Sequence, residues 1–230
     1  METTFSGDKN TPKDYIVFFD LDLTITKSIS GEALARGACR KGLMTHWNLL
    51  KAIFLSFEFR LKLKDPLKIM DDMVSWVNDI PEKSVIELCL EVFHEILLPS
   101  VYKEAISEIE YHKTKNAKVV ILSSALTTIC QEMAKNLKID DIICSELEVK
   151  NGYLTGRPLG HFCFGKEKAT RLLAYCKKNN CSPLNSWYYC DSISDLPALE
   201  IVGNPVCVNP DRKLKKTAIK RGWKILSWGN

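Results

Sequence analysis

From residue 14 onward, short blocks of consecutive apolar residues alternate with stretches in which apolar positions recur every three or four residues. The blocks are Tyr15–Phe19 (YIVFF), 118–122 (KVVIL), 141–144 (DIIC), Trp187–Cys190 (WYYC), 206–208 (VCV) and Lys224–Leu226 (KIL). They are apolar on both faces, as strands buried inside a parallel sheet must be. Between them, Leu126, Ile129, Cys130, Met133, Ala134 and Leu137 fall on one helical stripe, as do Tyr102, Ala105, Ile106 and Ile109, and Leu172, Leu173 and Cys176 suggest another. The alternation predicts an α/β domain.

The rhythm breaks between 26 and 97, where helical patterns follow one another with no strand. A crossover needs only about a dozen residues, so this excess is expected to form a helical module inserted into a core made of 14–25 and 98–230. Within it, 46–61 (HWNLLKAIFLSFEFRL) is strongly apolar, yet too short to span a bilayer and interrupted by Lys51, Glu58 and Arg60. Lys150-Asn151-Gly152-Tyr153 predicts a tight hairpin, because Asn-Gly accepts the positive φ angles of a two-residue turn.

Composition narrows the classes of function. Of 230 residues, 46% are hydrophobic and 26% charged, which is the balance of a globular protein. The 32 basic and 28 acidic residues leave a net charge of +4, scattered too evenly for a nucleic-acid binder. The basic run from Arg212 to Arg221 reads as a solvated helix face. Nine cysteines without a CxxC pair argue against a zinc site. The polar start METTFSGDKNTPKD has no apolar core of a secretory leader, so a cytoplasmic location with reduced thiols is expected.

Chemistry concentrates where the apolar blocks end. YIVFF runs into Asp20-Leu21-Asp22-Leu23-Thr24, a D-x-D-x-T pattern expected by chance only about 0.002 times behind four apolar residues. Both carboxylates would emerge past the carboxyl end of a buried strand, where open α/β sheets bind ligands. Two such groups repel unless a cation relieves them, and Mg²⁺ is the natural hard ion for oxygen ligands. WYYC likewise runs into Asp191-Ser192-Ile193-Ser194-Asp195. KVVIL runs into Ser123-Ser124-Ala125, expected to open a helix whose free amides and hydroxyl face an anion. Gly165-Lys166-Glu167-Lys168 puts lysines at a helix start, where the dipole disfavours them, so an anion is the expected reason.

DLDLT, LSS, a lysine opening a helix and DSISD, in that order, resemble the four motifs of the haloacid dehalogenase (HAD) superfamily. The similarity is greatest to its phosphoserine phosphatase-like branch, and SELEVKNGYLTG, GKEKATRLL and the stretch from YYCDSISD to KIL resemble a bacterial hydrolase group within it. The resemblance spans about 14–226 and implies a Rossmann-like core with an all-helical cap. It implies that Asp20 attacks phosphorus to form an aspartyl phosphate, and that Asp22 exchanges general acid and base roles. Mg²⁺ would be held by Asp20, Asp191 and the backbone carbonyl of Asp22. Thr24, Ser123 and Lys168 would bind the phosphoryl group; the G-x-x-K spacing favours Lys168 over Lys166. Asp195 would act behind them, on Lys168 or metal-bound water.

The expected function is therefore Mg²⁺-dependent hydrolysis of a small phosphorylated metabolite, without nucleic acid or an integral membrane segment. A phosphotransferase or a lipid-phosphate phosphatase of the same family, or a phospho-accepting signalling module, uses overlapping residues. One position departs from the branch. Where phosphoserine phosphatases carry a cap glutamate that reads the substrate's ammonium, this chain has Ile29, and the nearest acid is Glu32. A buried ammonium without a partner costs several kcal/mol, so phosphoserine is not the expected substrate.

Overall fold

The computed structural model describes residues 15–50, 72 and 74–229. Six parallel strands form one sheet in the order β3-β2-β1-β6-β7-β8. They are β1 (Tyr15–Phe19), β2 (Ala117–Leu126), β3 (Asp141–Ser145), β6 (Trp187–Cys190), β7 (Asn204–Val208) and β8 (Lys224–Leu226). Every predicted apolar block is one of these strands. The remaining pair, β4 (Leu147–Lys150) and β5 (Tyr153–Pro158), is the predicted hairpin. Its turn residues Asn151 and Gly152 have φ of 52° and 81°, which is why Asn-Gly stands there.

Alternation along the strands separates two cores. Val17, Phe19, Val119, Ile121, Tyr189 and Val206 face one side, and Ile16, Phe18, Val120, Leu122, Tyr188 and Cys207 the other. The first side is covered by α3 (Lys103–Thr114) and α4 (Thr127–Leu137). The second lies under α5 (Lys166–Lys178) and α6 (Arg212–Arg221). Ile106, which periodicity puts inward, is half-exposed on α3.

Between β1 and β2, α1 (Ser30–Arg40) and α2 (Glu82–Val92) pack so closely that a Cβ on Gly37 would meet Leu88 at 2.9 Å and Val92 at 3.0 Å. Their buried residues Ala33, Leu34, Ala38, Leu88 and Val92 join the apolar cluster on the first side of the sheet. The β4–β5 hairpin clasps this segment through backbone bonds from Asp79 N to Leu154 O, Leu154 N to Ile80 O and Glu82 N to Gly152 O. Of the apolar stretch 46–61, the part from 51 lies outside the described residues; Trp47 and Leu50 are exposed on helical 46–50. All nine cysteines are free thiols.

One expectation needs correcting. Ser123-Ser124-Ala125 does not open a helix: β2 continues through Leu126, and α4 starts only at Thr127. The strand shifts register after Leu122 and recovers a partner at Leu126, opposite Ser145. Pairing with β3 outcompetes the local helix-start signal, so Ser123 sits in an irregular strand end.

Candidate active site

The chain turns from β1 to β2 and β3 on one side and to β6, β7 and β8 on the other, so the strand order reverses beside β1. Ligands bind at the carboxyl ends of strands at such a switch point. Register aligns three of them: Phe19 pairs with Ile121 and with Tyr189, which brings Asp20, the end of β2 and Asp191 to one level. The Asp20 backbone N–H donates to Tyr189 O at 2.9 Å, extending the ladder by one bond beyond β1.

After Asp20 the chain coils tightly. Leu21 O accepts from Ile25 N at 2.9 Å and from Thr26 N at 3.0 Å, and Leu23 takes a left-handed φ of 57°, a strained conformation for a branched side chain. Asp20 Oδ1 accepts from Leu21 N at 2.8 Å and stands 3.1 Å from Lys168 Nζ. Asp22 points to α1 instead, where Oδ1 accepts from Ser30 N at 2.9 Å and Oδ2 from Ser30 Oγ at 2.8 Å. Burial pushes the Asp22 carboxyl up to about 6, with the Ser30 bonds and the Lys168 charge pulling the other way.

Lys168, in the first turn of α5, reaches the same place from the second side of the sheet and is only 2% exposed. Gly165, which precedes α5, takes a left-handed φ of 55°, and a Cβ there would stand 3.8 Å from Ser194 O of the 191–195 loop. Lys168 Nζ donates to Asp195 Oδ2 at 2.8 Å and to the Tyr188 hydroxyl at 3.1 Å, while that hydroxyl donates to the same Asp195 oxygen at 2.8 Å. Burial works against the ammonium, but the charges of Asp195 and Asp20 prevail and hold Lys168 above its ordinary value. Asp195 is pushed by burial up to about 6 against the pull of Lys168. Both members of the pair are therefore charged at neutral pH. Lys166, the alternative, makes no ion pair among the described residues.

Asp191 follows β6 directly. Burial first, then the charges of Asp20 and Asp195, push its carboxyl up to about 8. Asp20, Asp191 and Asp195 thus share one electrostatic environment. The 191–195 loop is held by Asp211, which accepts from Ile193 N at 2.7 Å while capping α6 through Lys213 N and Leu214 N. Ser123 is buried, and its hydroxyl accepts from Ala125 N at 3.2 Å, leaving the hydroxyl proton to donate elsewhere. The Thr24 hydroxyl and one oxygen of Asp195 are fully covered and have no hydrogen-bond partner among the described residues.

The Asp20 and Asp191 carboxylates, at one level of the sheet and in each other's field, are the oxygens that could face a cation. Oxygen donors suit a hard ion and not zinc or copper. Among the described residues no three His, Cys, Asp or Glu side chains stand together as a metal cage. A hard ion such as Mg²⁺ keeps several waters and needs only one or two carboxylates. Burial and neighbouring negative charge raise the proton affinity of Asp191, a penalty that a cation there would relieve.

Residues 17–200 match the family described as haloacid dehalogenase-like hydrolase. The chain belongs to that family. A probable phosphatase of Mycobacterium tuberculosis is 32% identical over 215 residues, 92% of this chain and 74% of that protein. The phosphoserine phosphatase SerB1 of the same organism is 25% identical over 225 residues, 95% and 73% of the two chains. A solved phospho-aspartyl intermediate analogue of a phosphoserine phosphatase shares the fold, with a TM-score of 0.72 at 18% identity over 94% of each chain. This chain is a HAD-like phosphatase, a hydrolase of phosphoric monoesters.

Sequence reasoning brought Asp20, Asp22, Lys168, Asp191 and Asp195 to one end of the sheet, where the structure also has them. It missed Tyr188, Ser30 and Asp211. Tyr188 reads only as one apolar residue of WYYC, and nothing in the local pattern singles out Ser30. Asp211 carried the clearest signal, because Asn-Pro-Asp before an amphipathic run is a helix N-cap.

Proposed function

We propose that this HAD-like phosphatase is Mg²⁺-dependent and hydrolyses a small phosphorylated metabolite through an aspartyl phosphate on Asp20. The observation that carries this reading is the 3.1 Å contact between Asp20 and the buried Lys168 at the switch point of the sheet. One Asp20 oxygen is fixed by Leu21 N and Lys168. That leaves the other to attack phosphorus in line with the ester oxygen.

Each remaining residue has a role in that reaction. Lys168 stabilises the phosphoryl oxygens and the spent Asp20, and Asp195 with Tyr188 holds the ammonium in place. Asp22 gives its proton to the departing alkoxide as the P–O bond breaks, then takes one from the water that attacks the aspartyl phosphate. A carboxyl raised to about 6 serves both roles near neutral pH. The Ser123 hydroxyl donates to the phosphoryl group, and the Thr24 hydroxyl gains there the partner it lacks among the described residues. Asp20, Asp191 and the Asp22 carbonyl would hold Mg²⁺, which would supply positive charge to offset the repulsion between nucleophile and phosphate.

The substrate we infer lacks an ammonium beside its ester. Ile29 precedes α1, and the exposed Glu32 is paired with Arg36 at 2.6 Å. Glu32 also lies two residues beyond Ser30, about 200° further round the helix, away from the Asp22 face. Phosphate release from a panel of phosphorylated metabolites, with phosphoserine as reference, tests the reading. Turnover that survives Asp20→Asn, or is unaffected by chelation of divalent metal, defeats it.

A further inference from the structure

Helix α1 has no cap of its own. Its N-cap residue is Ile29, whose side chain offers no acceptor, and the first-turn N–H of Ser30 finds its acceptor eight residues back, on Asp22. The Ser30 hydroxyl takes the other oxygen of the same carboxyl, and Ser30 is only 2% exposed. One residue of the inserted segment therefore engages both oxygens of the group that handles the proton. Among the described residues Ser30 makes no hydrogen bond to Asp20, Lys168 or Asp191, and its link to the site runs through Asp22.

We propose that Ser30 is a positioning residue for proton transfer, holding the Asp22 carboxyl at the angle from which it serves the leaving oxygen. A serine hydroxyl both donates and accepts, so it satisfies Asp22 in either protonation state. It donates to the carboxylate and accepts from the protonated oxygen until the substrate's ester oxygen takes over that oxygen. When the P–O bond breaks, the Asp22 proton moves to the departing alkoxide, Asp20 gains the phosphoryl group, and Ser30 donates again to the carboxylate just formed. The backbone N–H at the other oxygen keeps the carboxyl from rotating away. Docking of α1 is thereby tied to proton delivery and not to nucleophilic attack.

This rests on the phosphatase reading, and the experiment separates the two. Leaving groups differ in their need for a proton: a nitrophenolate departs without one, whereas an alkoxide does not. The measurement is kcat/KM, which reports the steps through phosphoryl transfer, for wild type, Ser30→Ala and Ser30→Cys on aryl phosphates of graded leaving-group acidity and on a simple alkyl phosphate. The expected result is a steeper dependence on leaving-group pKa in both variants. The alkyl ester loses about tenfold or more and the most acidic aryl ester about threefold or less, a part of the 10²–10⁴ that general acid catalysis supplies. Ser30→Thr, which restores a hydroxyl, recovers the wild-type slope.

A uniform fall across all esters means a structural role and overturns the proposal, as does an unchanged slope. Ser30→Cys keeps the volume and reports the slope should Ser30→Ala not fold. A wild-type enzyme that hydrolyses none of these esters overturns the phosphatase reading and the role of Ser30 with it.

Discussion

Replacing Lys168 by Met tests the site where its electrostatics are most demanding. The side chain is 2% exposed, Asp195 1%, and the ammonium lies 2.8 Å from Asp195 and 3.1 Å from Asp20. Methionine fills similar volume but leaves Asp195 with only the Tyr188 hydroxyl. Breaking a buried pair from one side costs about 3–5 kcal/mol, because the surviving charge stays out of water. That cost depends on pH in a fixed direction. Asp195 is already pushed up to about 6 with the lysine present, above an ordinary value of 3.8, and loss of the cation raises it further. Once protonated the carboxyl is tolerated in its buried place, so the deficit is small near pH 5 and grows as pH rises through the shifted value. Urea unfolding followed by circular dichroism, with metal chelated, should show the variant close to wild type at about pH 5 and about 3 kcal/mol less stable at about pH 8. Adding Asp195→Asn, which removes the stranded charge and keeps the Tyr188 contact, should recover most of the stability and none of the activity. A deficit below about 1 kcal/mol at the higher pH, or one that grows toward acid, refutes the buried charge pair.

Further outcomes follow from the same geometry. Asp20→Asn should abolish phosphate release while leaving the circular dichroism spectrum and melting temperature at wild-type values. Chelation of divalent metal should stop turnover, and added Mg²⁺ should restore it. Thr24→Val removes a buried hydroxyl that has no partner among the described residues, so it should melt no lower than wild type while KM for phosphomonoesters rises; an unchanged KM removes Thr24 from phosphate binding. His112 is pulled down to about 4 by burial, with Glu108 opposing and Lys224 assisting. Below its ordinary value of 6.5 the unfolded chain takes up a proton that the folded one refuses, so acidification from about pH 6.5 to 4 should cost up to about 3 kcal/mol, a slope that His112→Gln removes in urea titrations.

What the sequence made legible was whatever local pattern controls. Strands buried on both faces show as unbroken apolar runs, so all six strands of the sheet could be placed within a few residues. Asn151-Gly152 declared its hairpin because few other dipeptides tolerate two positive φ angles. The carboxylates were legible because acidic pairs have no packing reason to follow a buried strand. The failures occur where a tertiary contact outweighs a local signal. Ser123-Ser124-Ala125 looks like a helix start, but pairing of Leu126 with Ser145 keeps it in the strand. Ser30 and Tyr188 act through partners 8 and 20 residues away, Asp22 and Lys168, which no periodicity reveals.

Two neighbouring tyrosines show how the sheet and the insertion divide the work. Tyr188 and Tyr189 point to opposite faces of β6, as alternation requires. Tyr188 bonds to Lys168 and Asp195 on one side. Tyr189 stacks on Phe19 at 4.4 Å on the other, and its hydroxyl meets His112 and Glu108, while its carbonyl receives the Asp20 N–H. Both Asp20 and Lys168 are therefore referenced to a single buried strand, and the distance between them is set by sheet register. Asp22 is referenced to the insertion, through Ser30. Displacement of α1 relative to the sheet would leave the Asp20 to Lys168 contact where the ladder puts it and move Asp22, the proposed proton donor. On the proposed mechanism, attack on phosphorus would thus belong to the sheet, and the fate of the leaving group to the segment that α1 begins.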